Sequence, residues 1–170
     1  MAEPLTLYKL MVLYMLDKVT FPLTNNQISE FILTQGYTDY FHVQQALSDL
    51  VETELIHMDT IRNTSQYHLT ENGAETLSFF GKEISPDIKK DIDNFLQENA
   101  YELRNEVNTT ADYYLNSEQE YCVRCKVHER NQDLIDLTIT VPTEDAAIHA
   151  CDNWKKNSQK IYASVIANLL

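Results

Sequence analysis

Apolar side chains recur along this chain in three rhythms, and each rhythm predicts a different kind of element. Leu5, Tyr8, Leu10, Met11, Val12, Leu13, Tyr14 and Leu16 crowd the first stretch so densely that a helix there is apolar over most of its circumference. Such a helix must be buried on more than one side, either wholly inside its own subunit or partly against a second copy. Ile28, Phe31 and Ile32 instead mark one face of a helix capped by Thr24 or Asn25 and ended by Gly36. After the turn Tyr37-Thr38-Asp39, with Thr38 or Asp39 as cap, Val43, Ala46, Leu47 and Leu50 give the i, i+3, i+4, i+7 spacing of a helix with one buried face. Its other face is polar and uncommitted. Leu55–Arg62 and Gln66–Leu69 then read as two strands joined by the turn-forming Asn63-Thr64-Ser65, and Phe21-Pro22-Leu23 suits a small strand beside them. Thr70 can cap the next helix, whose Leu77, Phe79 and Phe80 run to Gly81.

Ser85-Pro86-Asp87 opens another helix, with Pro86 at the favourable first position. Ile88, Ile92, Phe95, Leu96, Tyr101 and Leu103 make it long and one-faced, a connector over residues 83–107. From Thr109 the period changes to two. Tyr121, Val123, Cys125 and Val127 alternate with polar residues, as do Ile135, Leu137, Ile139 and Val141, and Ala111, Tyr113 and Leu115 supply a third strand. This predicts an antiparallel meander with one wet face. Thr143 then caps a helix through Ile148, Cys151, Trp154, Ile161, Val165 and Leu169, with a possible bend near Asn157-Ser158. The expected architecture is α+β: a helical domain with a hairpin over residues 1–82, the connector, and a β-β-β-α dimerisation or effector domain over 108–170.

Residues 37–73 carry a resemblance. Leu47, Leu50, Leu55 and Ile56 close the third helix and enter the first hairpin strand, and Tyr67, Leu69, Thr70 and Gly73 spell the return Y-x-L-T-x-x-G. In these residues the chain resembles bacterial winged helix-turn-helix regulators of the PadR and MarR kind. The whole chain also resembles an uncharacterised bacterial family with a winged helix at its N-terminus. The resemblance implies a DNA-binding transcriptional regulator that reads duplex DNA with its third helix. Tyr40, His42, Gln44, Gln45 and Ser48, beside Asp49, are its exposed side, and Gln can bond adenine N6 and N7 in the major groove. The wing would offer Arg62, Asn63, Ser65 and Gln66, with Thr64 and His68 near, for phosphate or minor-groove contacts. Glu54 departs from the pattern, since the turn before the wing commonly carries Gly.

Charge qualifies that picture. The formal net charge is -13 over 170 residues, and through Phe80 the only Lys and Arg are Lys9, Lys18 and Arg62. DNA-binding proteins draw much of their affinity from neutralised phosphates. A second reading therefore stands beside the first: an acidic winged-helix module that binds a basic or polar protein instead of DNA.

Other chemistry is thin. Cys122-Val123-Arg124-Cys125 spells C-x-x-C, but on a strand the two cysteines face opposite ways, which predicts one core and one surface thiol with no metal. Arg124, Lys126 and His128 share a wet strand face opposite Asp136, the pattern of cross-strand charge pairing. No glycine-rich phosphate loop, nucleophile elbow or metalloprotease motif occurs, so neither an enzyme nor a cofactor is expected. No apolar run reaches the roughly 20 residues of a membrane span, and the acidic start lacks the basic residues of a secretory signal. A cytoplasmic homodimer is expected, without a membrane, and with duplex DNA or a protein as partner.

Overall fold

The computed structural model describes residues 3–170. They form an α+β structure with seven α-helices and two antiparallel three-stranded sheets. The chain divides into two compact units. One runs to Thr60 and resumes over Thr64–Val107; the other comprises Ile61–Asn63 and Asn108–Leu170.

The N-terminal unit is built around α1 (Pro4–Asp17). Every residue from Leu10 to Leu16 is buried, because α3, α4, α5 and strand β3 all pack on it. The apolar surplus of this helix is absorbed within one chain. β1 is only Leu23–Thr24, sharing just Leu23 with the expected Phe21–Leu23, and Thr24 doubles as the cap of α2 (Asn25–Thr34). Its hydroxyl accepts from the Gln27 amide while the Gln27 side chain accepts from the Thr24 amide, so two otherwise unpaired donors satisfy each other's residues. Gly36, at φ 74°, ends α2, with Gly36 N–H donating to the Leu33 carbonyl and Tyr37 N–H to that of Ile32.

The same terminus recurs after α3 (Tyr40–Glu52), capped at its start by Asp39. Glu54 N–H donates to Val51 and Leu55 N–H to Leu50, with Glu54 itself at φ 60°. A glutamate thus holds a left-handed position that glycine takes without steric cost. β2 (Ile56–Ile61) and β3 (Thr64–Leu69) follow, in a sheet of order β1-β3-β2 where Leu23 faces Tyr67 and Thr24 faces Gln66. The hairpin turns on Arg62-Asn63, both at positive φ, rather than on the expected Asn63-Thr64-Ser65. A two-residue turn of this hand matches strand twist, so Thr64 and Ser65 are freed to extend β3.

Thr70 caps α4 (Glu71–Phe80), accepting from Gly73 N–H, and its hydroxyl lies 2.8 Å from the Glu54 carbonyl and 2.9 Å from that of Leu55. A Cβ on Gly73 would stand 2.0 Å from the Leu55 carbonyl oxygen, so only glycine lets α4 approach this closely. A 3-10 turn, Gly81–Glu83, leads to the stretch expected as a single connector. It is two helices, α5 (Pro86–Glu98) and α6 (Ala100–Asn108), parted at Asn99. The Asn99 side chain donates to the Phe95 carbonyl, a local bond that competes with continued helix. α5 belongs to the N-terminal core: Ile92 and Leu96 are buried, Tyr14 donates to Asp93, and Tyr37 donates to Asp91. Burial first, and then the facing carboxylate, push both tyrosines up to about 12.

The C-terminal unit is a meander, β4 (Thr109–Leu115), β5 (Tyr121–Glu129) and β6 (Gln132–Val141), under α7 (Glu144–Leu169). Its register aligns Ala111 with Cys125 and Leu137, and Tyr113 with Val123 and Ile139. Ala111, Val123 and Cys125 meet Ala147, Cys151 and Trp154 of α7 to form the second core. Thr143 and two acidic residues begin α7, which runs unbroken through Asn157-Ser158 for 26 residues. The β5–β6 turn is Arg130-Asn131, again both at positive φ, the dipeptide already used by the first hairpin.

Candidate functional site

α3 presents to solvent the face the sequence suggested. Val43, Ala46, Leu47 and Leu50 point inward, while Tyr40, Phe41, Gln45 and Ser48 are exposed. Phe41 is 73% exposed, a large apolar side chain at the start of the helix. His42 is exposed but engaged: its Nδ1 lies 2.7 Å from Asp39 Oδ1, and its ring meets Tyr8 and Phe41 edge-on. The His42 backbone and ring bonds together hold Asp39 below the usual carboxylate range. Asp49 forms an ion pair with Lys9 at 3.1 Å.

Gln44 is placed differently from Gln45. Its amide pairs reciprocally with Asn25, Nδ2 to Oε1 at 2.7 Å and Nε2 to Oδ1 at 2.9 Å, and also donates to Ser29 Oγ at 3.1 Å. Ser29 donates to Asn25, and Asn25 reaches the Tyr67 hydroxyl at 3.2 Å. This network ties α2, α3 and β3 together and occupies both ends of the Gln44 amide. Asn25 and Ser29, polar at i, i+4 on the face that also bears Ile28 and Ile32, were the available signal.

The expected wing residues are divided in the same way. Asn63 is exposed at the turn and Ser65 half-buried, but Gln66 is only 6% exposed. β3 is the middle strand of its sheet, flanked by β1 and β2, so Gln66 has neighbours on both edges. The tip Ile61–Asn63 groups with the C-terminal unit. There the Arg62 backbone N–H donates to Asp112 Oδ2 at 3.1 Å, and its Nη1 lies 2.8 Å from Asp152 Oδ1. The Arg62 hydrogen bond holds the Asp152 carboxyl below its ordinary range. The one cation expected of the wing is thus neutralised inside the chain. On the hairpin strands, Asp59 takes His57 on one carboxylate oxygen and His68 on the other, at 3.2 and 3.0 Å.

The outer face of the C-terminal sheet is charge-paired. Arg124 grips Asp136 with Nε and Nη2, and Asp133 receives both His128 and Lys126. All three cysteines are free and buried, so Cys122 is not the surface thiol expected: the Asn116 side chain and Thr140 cover it. Burial, then the neighbouring Cys151, pushes the Cys125 thiol up to about 11. Such a thiol is a poor nucleophile. No helix among the described residues is long and apolar enough to cross a membrane.

The architecture is that of an α+β protein with one small sheet set among helices and a second sheet beneath a single long helix. The chain belongs to the family described as Domain of unknown function (DUF4364), whose model matches residues 8–169. No curated protein and no solved structure matches it.

Proposed function

We propose that this chain is a winged helix-turn-helix regulator that binds duplex DNA through the exposed face of α3. The observation that carries the reading is the element order α1-β1-α2-α3-β2-β3-α4 with sheet order β1-β3-β2, which leaves one polar helix face open beside a hairpin. Gln45 and Ser48 are its base readers, with Tyr40 and His42 at the helix start. Gln44 serves as a strut that fixes α3 on α2, and it reaches a base only by breaking its pair with Asn25. With a net charge of -13, affinity must come from base edges rather than phosphates. Selection from random duplexes at low salt tests this. An enriched sequence whose preference is relaxed by Gln45→Ala supports the reading, and no enrichment ends it.

A second reading rests on its own observation. Exposed Phe41 and Tyr40, on a chain of net charge -13, suit a patch for a basic protein segment. If the DNA selection fails, loss of a protein partner on Phe41→Ser is the expected result.

A further inference from the structure

α7 and β6 each have an apolar strip that the C-terminal unit itself leaves uncovered, and the two strips are complementary in kind. The inward face of α7 runs through Ala147, Cys151, Trp154 and Ser158, all buried on the sheet. The same stripe continues at helical spacing through Ile161, Val165 and Leu169, joined by Tyr162 and Ile166, but burial fades: Ile166 is 38% and Leu169 75% exposed. At about 1.5 Å per residue, a helix this long outruns the sheet beneath it. The sheet has the opposite shortage. α7 packs chiefly on β4 and β5 and much less on β6. Register places Ile135, Leu137, Ile139 and Val141 on the α7 side, opposite Val127, Cys125, Val123 and Tyr121. Yet Ile139 stays 45% exposed, although its neighbour Val123 is completely buried.

We propose that a second copy of this chain covers both strips, the α7 tail of each copy lying over the β6 flank of the other. A chain that carries a helix stripe without a sheet and a sheet strip without a helix is complementary to itself. A two-fold axis makes the tail-on-flank contact twice, as an isologous interface requires. The exposed parts of these side chains, counted on both copies, amount to on the order of 1,000 Å², about the least a stable specific interface buries. α1 is no competitor for the role, since its residues from Leu10 to Leu16 are already enclosed. The interface is independent of what α3 binds, so it stands or falls apart from the DNA reading.

Sedimentation of the full chain tests it. A 19.7 kDa monomer should give way to a dimer at about 100 µM, where even a micromolar Kd leaves the complex mostly formed. Ile166→Lys and Ile139→Glu, both at exposed positions, should each weaken association by roughly 100-fold, since each buries an unpaired charge. Mixing the two variants should restore a heterodimer, because lysine on one tail then meets glutamate on the other flank while the second contact stays wild-type. Circular dichroism checks the fold of each. If Ile139→Glu does not fold, Ile139→Thr, which keeps strand propensity, replaces it and should still weaken the dimer. A wild-type monomer at that concentration overturns the proposal, as does a dimer indifferent to both substitutions. A mixture that stays monomeric also overturns it.

Discussion

Two positions at the junction of α3, β2 and α4 show how backbone geometry selects single residues, with opposite consequences for substitution. Gly73 has no space for a methyl group, because the Leu55 carbonyl oxygen and a Leu69 methyl stand 2.0 and 2.8 Å from where its Cβ would be. Gly73→Ala should cost about 2 kcal/mol or more, as overpacking does when the obstacle is backbone. A fall in urea midpoint measures it. Glu54 is the reverse case, an L-residue held at φ 60°. Glu54→Gly removes a left-handed penalty of about 1–2 kcal/mol and adds a glycine entropy cost of about 0.5–1. A modest gain in midpoint is expected. Arg62 completes the scale: Asp152→Asn would free its guanidinium from a 2.8 Å ion pair. Under the DNA reading this variant should bind duplex several-fold more tightly at low salt, as titration by fluorescence anisotropy would show. Unchanged affinity would remove Arg62 from the contact.

At the level of elements, the C-terminal sheet ties its outer face to pH. Hydrogen bonds from Arg124 to Asp136, and from His128 to Asp133, hold these carboxyls below the usual range. A carboxyl depressed in the folded state contributes stability above its unfolded value of about 3.9, and loses it as pH falls through the folded value. Asp136→Asn should therefore lower the urea midpoint at pH 7, and the difference from wild type should shrink as pH falls below about 3.9. A difference that persists in acid would mean that the aspartate acts through packing instead. The elements themselves were mostly legible. Thr70 and Thr143 cap the helices they were expected to cap, and Pro86 opens α5 at its first position as expected, because a helix start is a local pattern written within four residues. The connector was misread because periodicity continued across Asn99, where a side chain bonding its own helix ends α5. The hairpin tip was misread because three turn-forming residues outweighed Arg62 by composition. The same Arg-Asn pair before the sixth strand was the clue.

For the whole molecule, charge dominates any encounter with nucleic acid. With a net charge of -13, the salt dependence of DNA binding should be much shallower than for a protein making roughly 6 to 10 phosphate contacts. A steep dependence would require cations beyond those of α3 and the hairpin, which together carry only Arg62. By itself, the sequence determined what depends on near neighbours: the periods of the helices and strands, their caps, the α+β composition, the opposite facing of Cys122 and Cys125, and the polar outer face of α3. Only the tertiary structure decided which polar groups remain free. Gln44 and Gln45 are adjacent and alike, yet one is bonded to Asn25 and the other faces water. Arg62 is held by Asp152, ninety positions away. Gln66 is buried because β3 is a middle strand, and α1 is enclosed by α3, α4 and α5. Those outcomes depend on partners brought together across the chain. A local pattern records that a side chain can bond or bury itself, but carries no information on which distant group will arrive to meet it.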